Sequence, residues 1–319
     1  MYGKAIDAAN AVGESLGHMR IPHPNVENLC PGERHRVENS LDADLIPSGF
    51  LPSPVYGFGV WRHPRLLAAG LVSSGSVMVP CPGFPQTAAL LRGYPAADVG
   101  LHVTLTSEWA GYRWGPLTTR DPATGLVDQD GYLPRDTETL WRHIDIAAAS
   151  AEMRAQAARP RQVGLELTHL DSHMFAHFEP RLLPPYVALG FAEAIPALVV
   201  RHWPYNGRGV AQIGQWIRQW EEQGMPIFDH VIGTPPATPQ EDRVQQAKHL
   251  LDTLSPGLTC FLVHAACDTP ELRAIAPDWP FRAADHAAFQ SVELSNHIRR
   301  TGVQVIGYRV LREAMRAHL

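Results

Sequence analysis

Two runs of the sequence place histidine where an apolar strand would give out. One is Val99-Gly-Leu-His102-Val-Thr-Leu-Thr. The other is Leu165-Glu-Leu-Thr-His169-Leu-Asp171-Ser-His173. Alternate side chains of an extended chain share a face, so Leu165, Leu167, His169, Asp171 and His173 fall on one side. That face starts apolar and turns polar, as expected of a strand whose C-terminal end reaches a wet site. In the first run His102 shares its face with Gly100 and Thr104, opposite the aliphatic row Leu101, Val103 and Leu105. Imidazole is the commonest ligand for zinc-like ions, and a nearby carboxylate either completes such a site or orients a ligand. Asp171 suits either role. A lone histidine is more often a satisfied polar residue. A His-x-Asp-x-His run facing a second strand-borne histidine tips the balance toward a metal-dependent hydrolase.

Three further groups of residues carry chemical possibilities. Cys260-Phe-Leu-Val-His264 ends another apolar strand in histidine, with Asp268 just beyond. His264 is a candidate general acid, because an imidazole titrating near neutrality can hand a proton to a leaving nitrogen or oxygen; the alternative is a packing or capping residue. Arg201, closing Leu198-Val-Val-Arg, is either a substrate clamp or a salt-bridge partner. Glu108, Trp109, Tyr112 and Trp114 follow directly on the His102 strand as candidate substrate-binding residues. Flat aromatic faces suit sugar rings, and a hydrophobic lid is the competing use.

The elements needed to hold these groups alternate along the chain. Leu71–Pro80, Val99–Thr106, Leu165–Asp171, Ala197–Arg201, Pro226–Val231, Leu258–His264 and Val303–Tyr308 read as strands. Phe84–Arg92, Thr137–Arg159 (stopped by Pro160), Arg181–Leu189, Val210–Gln223, Gln240–Leu254, Asp285–Thr301 and Arg309–His318 read as helices. Residues 109–136 form a long aromatic loop of the kind that usually binds or covers something. Alternation predicts an α/β fold with a parallel sheet or barrel. Polar residues gather at the ends of several strands, which favours a (β/α) barrel-like domain over a doubly wound sheet. Residues 1–64 read as an irregular N-terminal region rich in proline (Pro22, Pro24, Pro31, Pro47, Pro52, Pro54), with a weak helix over 5–16, and residues 65–319 as the domain.

Bulk properties exclude several classes. The chain has 319 residues and a net charge of -5, with no basic stripe to neutralise phosphates, so nucleic acid is not the expected partner. No apolar run is long enough for a membrane span, and the N-terminus lacks a signal-peptide layout. The four cysteines, Cys30, Cys81, Cys260 and Cys267, form no Cys-x-x-Cys pair, as expected of reduced packing thiols in a cytoplasmic protein. No glycine-rich nucleotide loop follows a strand. Homodimer formation is left open.

The order Val-Gly-Leu-His-Val-Thr-Leu-Thr, then Thr-His-Leu-Asp-Ser-His, then a late strand ending in Val-His resembles the YdjC/ChbG (ChbG/HpnK) family of carbohydrate deacetylases. Ser74-Gly-Ser-Val-Met-Val-Pro-Cys-Pro and the Trp-Ala-Gly-Tyr-Arg-Trp loop strengthen the likeness, which runs from about residue 67 to the C-terminus. The resemblance implies a deformed (β/α) barrel that removes N-acetyl groups from a small carbohydrate with one divalent ion, Mg2+ or Zn2+. It implies His102 and His173 as metal ligands and His264 in proton transfer, with Asp171 a further catalytic candidate and His169 behind the ligands. One departure is plain. The family opens with Ala-Asp-Asp-Phe-Gly, supplying a ligand and a base, whereas this chain has Leu51-Pro-Ser-Pro54 at the projected position. Two explanations fit: an N-terminal region drawn from an altered reading frame or aberrant start, or a genuine but divergent member. The functions consistent with the residues are therefore an active deacetylase, an impaired relative that binds a sugar, or a metal hydrolase for another amide or phosphoester.

Overall fold

A computed structural model of the chain describes residues 71–201, 210–233 and 243–319. The expected N-terminal region, its helix over 5–16, the boundary near residue 64 and Cys30 lie outside those residues.

The strand that begins the described chain, β1 (Gly75–Val77), is followed by α1 (Phe84–Leu91), a helix with proline in its first turn, where the missing N–H costs nothing. β2 (Val99–Val103) lies parallel to β1 and is buried at every position. The long loop comes next, carrying a single 3-10 turn at Pro122–Thr124. α2 (Thr137–His143) and α3 (Ile146–Gln162) lead to β3 (Leu170–Ser172), parallel to β2 in the register Leu101↔Leu170, His102↔Asp171, Val103↔Ser172. Then come α4 (Leu183–Glu193), α5 (Val210–Glu222), β4 (His230–Gly233), α6 (Arg243–Asp252) and β5 (Thr259–Leu262). α7 (Pro270–Ile275), α8 (Trp279–Ala288), α9 (Val292–Thr301) and α10 (Tyr308–His318) complete the chain.

β1, β2 and β3 form one parallel sheet, and β4 and β5 form a parallel pair. Single parallel bridges, Leu170↔Ala197 and Val200↔Phe228, connect them through residues 197–200. The succession therefore follows chain order, each strand beside the one before it, with helices between. This is a mixed α/β fold. Among the described residues no pairing links β5 back to β1, and the parallel set stays open. No helix among them is long and apolar enough to cross a membrane.

Several expected elements differ, and the strand expected over 197–201 is reduced to the two bridges at Ala197 and Val200. The single helix over 137–159 is two helices. Ile144 is extended, and Asp145 starts α3 by accepting from Ala148 N at 2.7 Å, as Asp136 starts α2 by accepting from Thr139 N at 2.7 Å. Pro160 sits inside the last turn of α3 and does not stop it before Gln162. The helix over 285–301 is also two: α8 ends at Ala288, and Ser291 caps α9 through Glu293 N and Leu294 N. Residues 303–307 form no strand despite their alternating valines; Ser73 Oγ donates to Ile306 O at 2.7 Å, but no ladder follows. The strand over 165–171 is confined to its last residues. Upstream of it, Thr168 N donates to Val99 O and Leu101 N to His169 O, so the segment still lies against β2.

Candidate metal and substrate site

The β2–β3 register sets His102 beside Asp171. A carboxylate only accepts, so His102 Nδ1–H donates to Asp171 Oδ1, at 2.7 Å, which in a neutral ring would leave the lone pair on Nε2. Burial works to raise the Asp171 carboxyl. The neighbouring His102, its hydrogen bond, His169 and Ser76 outweigh burial and hold it below the usual range. His173 follows β3 and its ring centroid lies 5.5 Å from that of His102, at 64°. His173 Nε2–H donates to Glu108 Oε2 at 2.7 Å, which leaves the lone pair on Nδ1. Burial, with His102 and Arg282 nearby, keeps His173 neutral by lowering its basicity against the pull of Glu108. Glu108 is pushed up by burial, but His173, the bonds it accepts and Arg282 hold it low, as a carboxylate. Thus two imidazoles lie together, each backed by a carboxylate, as in carboxylate–histidine–metal arrangements.

The backbone after His173 is unusual. Met174 and Phe175 sit in the left-handed region at φ 51° and 53°. Non-glycine residues hold that conformation at a cost of about 1 kcal/mol or more, and such positions cluster at functional sites. The turn ends the strand at once and leaves Met174 exposed, its Sδ accepting from Thr106 Oγ1 at 3.4 Å.

The loop after β2 is tied down. Ser107 N donates to Pro134 O, and Trp114 N donates to Ser107 Oγ. Arg113 binds Ser107 Oγ, Asp128 and Leu133 O. Fully buried Glu152 of α3 accepts from Leu117 N, Thr118 N and Thr118 Oγ1. Gln156, one turn on, brackets Thr104 through both its N and its O.

The structure brings His102, Asp171 and His173 together and adds Glu108, which hydrogen-bonds His173 where the sequence suggested a substrate contact. Trp114 departs from expectation. It is 2 % exposed, donates Nε1–H to Thr106 O, and packs 6.0 Å from His173, so it offers no open face for stacking. Trp109 and Tyr112 are half-buried against it, at 5.9 and 6.4 Å. Arg201 donates to Glu221 at 2.6 and 3.0 Å and to Asp229 at 3.3 Å, the salt-bridge alternative to a substrate clamp. His264 follows β5, and Asp285, itself paired with buried Arg243 at 2.8 Å, accepts its backbone N–H at 3.1 Å. Burial first, then Arg282 and His102, push the His264 imidazole down to about 3. It is neutral at physiological pH, and cannot be an acid until it has taken up a proton. Arg282 carried no signal in the sequence. It lies on α8, paired with Asp278, 5.5 Å over the Trp109 ring, and its charge reaches Glu108, His173 and His264.

A divalent ion is matched here in ligand type but not in ligand number. Catalytic zinc takes three protein ligands, and among the described residues no group of three or more His, Cys, Asp or Glu is placed to hold an ion. The described cysteines are free thiols; burial pushes Cys260 up to about 12, which makes it inert.

A family model described as YdjC-like protein matches residues 64–300. The chain belongs to the YdjC-like family. A carbohydrate deacetylase of Thermus thermophilus is 33 % identical over 76 % of this chain and 85 % of its own length. A chitooligosaccharide deacetylase of Serratia marcescens is 33 % identical over 40 % of this chain and 48 % of its own. A crystal structure from Enterococcus faecalis V583, described as a cellobiose-phosphate cleavage protein, superposes with a TM-score of 0.61. At 19 % identity over 78 % of this chain and 94 % of that one, it supports the fold of this YdjC-like chain.

Proposed function

We propose that the protein is a carbohydrate deacetylase, hydrolysing the amide of an N-acetylated sugar. The observation that carries this is the facing pair His102–Asp171 and His173–Glu108 in a chain whose relatives bear deacetylase names. In this reading residues 65–319 are the catalytic domain, a deformed (β/α) barrel, and residues 1–64 precede it.

His102 and His173 would hold one divalent ion, Mg2+ or Zn2+, through Nε2 and Nδ1, with water free to fill further positions. Such an ion, when bound, polarises the amide carbonyl and makes bound water more acidic. Asp171 and Glu108 hold the two imidazoles in the lone-pair tautomers that metal binding needs. His264 starts neutral and receives the proton of the attacking water. An oxyanion forming beside it favours its protonated state, from which it gives the proton to the leaving nitrogen. Trp109 and Tyr112 line the approach of the sugar, with Arg282 fixing the Trp109 ring.

Acetate release from N-acetylated chitooligosaccharides, with and without chelator, tests the reading. Chelator-sensitive release with about one ion per chain is expected. No release and no stoichiometric metal would leave the second reading, an impaired sugar binder, which the short ligand set among the described residues favours.

A further inference from the structure

The exit of β5 carries His264, yet β5 is only half-buried along its length, so its own packing holds that exit loosely. The fixing comes from α8. The His264 backbone N–H donates to Asp285 Oδ2 at 3.1 Å, and the Ala266 N–H donates to the Arg282 carbonyl, one turn back on the same helix, at 3.0 Å. Ala265, between them, has no exposed surface. Asp285 is itself 2 % exposed, and its Oδ1 lies 2.8 Å from Nε of Arg243, an equally enclosed residue at the start of α6. Arg243 is held in turn. Its guanidinium carbon lies 5.8 Å from the centroid of the Phe281 ring, and Nη1 donates to Gln246 Oε1 at 3.4 Å.

Taking two opposite charges out of water costs about what their attraction returns, and apolar side chains of the same size often stabilise a fold as well. Stability alone therefore gives no reason for an ion pair here. Its geometry does. A carboxylate engaged on one oxygen by a guanidinium presents the other oxygen in a fixed direction, and a charged acceptor binds an amide more strongly than a neutral one. The pair joins α6, α8 and the exit of β5 at the peptide that bears His264. We propose that Asp285, held by Arg243, is a positioning residue: it fixes the His264 backbone and with it the place of the imidazole. What His264 does with that placement rests on the deacetylase reading, in which a shift of about 1 Å at a group that moves a proton costs about a hundredfold in rate.

Two double substitutions separate positioning from packing. Arg243→Met with Asp285→Leu replaces the pair by apolar side chains of similar size and removes the acceptor. Arg243→Met with Asp285→Asn removes both charges and keeps an oxygen for the amide. The full chain is labelled with nitrogen-15 at histidine, and the His264 signals are assigned by their loss in His264→Gln. In the unsubstituted protein the His264 amide should exchange slowly with solvent, and its ring should give one set of signals. Both features should persist in the asparagine variant. In the leucine variant amide exchange should quicken about tenfold or more and the ring signals should move, with the denaturant midpoint little changed. An unchanged His264 amide and ring in a folded leucine variant would overturn the proposal, as would an amide that exchanges in the unsubstituted protein as fast as an exposed one. If the leucine variant does not fold, Arg243→Met with Asp285→Ala takes its place, since alanine is too short to reach the amide. In the kinetic arm, kcat for acetate release should fall about 10- to 100-fold in the leucine variant with KM nearly constant, and by a few-fold at most in the asparagine variant. Equal kcat values in the two folded variants would also overturn it. If the unsubstituted protein releases no acetate, the deacetylase reading fails and takes only this arm with it; amide exchange and the ring signals still decide the placement.

Discussion

The two parallel strand groups of this chain are built alike and clothed differently. In the first, β2 is buried throughout, and Leu101, Val103 and Leu105 have no exposed surface. In the second, every residue of β5 and the first three of β4 are only half-buried. The first group carries His102, Asp171 and the strand exit to His173, and its loop is bonded to α3. The second carries only His264. Precise placement of two facing imidazoles needs rigid support on all sides, and the chain provides it where the paired histidines stand. Under the deacetylase reading, a single proton-transfer residue tolerates a looser frame.

The sharpest way to break this comparison is at the histidines. His102→Ala and His173→Ala should each lower acetate release by more than about a hundredfold, since even second-layer partners of such ligands cost 10- to 100-fold. Elemental analysis should show the ion lost in both. Arg201→Ala, outside both strand groups, should change kcat/KM by no more than a few-fold; a collapse there would restore its role as a substrate clamp.

Next in size is packing. Leu101→Ala should cost about 2–5 kcal/mol by denaturant unfolding, against about 1 kcal/mol for half-buried Val231→Ala. Equal losses would mean that the difference in coverage carries no energetic weight. Glu152→Ala comes third. It strands Leu117 N and Thr118 N, so about 1–3 kcal/mol and faster proteolysis near residues 117–124 are expected, with the β4–β5 region untouched.

The smallest effect is a pH dependence carried by Asp128, in the loop of the first group. Burial tends to raise the Asp128 carboxyl, but backbone bonds from Tyr132 and Asp130 and the Arg113 guanidinium hold it low. A lowered folded value contributes stability above the unfolded value of about 3.9, and that stability is lost as pH falls through the folded value. The group is partly exposed, so the contribution is under about 1 kcal/mol. Melting temperatures between pH 3 and 6 should drop less steeply on acidification in Asp128→Asn.

Much of this was legible in the sequence where a local rule carried it. The alternation around His102 gave β2, and the Thr-His-Leu-Asp-Ser-His run gave a strand end with its polar cluster. Local rules missed where capping competes with periodicity. Asp145 and Ser291 restart helices inside long apolar-periodic stretches, and both are strong capping residues whose signal a longer helix pattern masked. The alternating valines at 303 and 305 imitate a strand, but a strand needs a partner, and Val305 is 41 % exposed. The contact between Glu108 and His173 spans 65 positions and depends on how a loop folds back. The spacing of residues carries no trace of it. Arg282 lies in a helix with no motif around it and reaches the site only because α8 packs there.

The loop after β2 has a thermodynamic consequence under the deacetylase reading. Its backbone is already held by Glu152, Arg113 and Ser107 before any sugar arrives. A ligand meeting Trp109 and Tyr112 therefore has no segment to order, and association escapes the entropic penalty of folding a lid onto it. Calorimetry should then show a heat-capacity change set by the apolar area the sugar itself covers, without the larger increment that coupled folding adds.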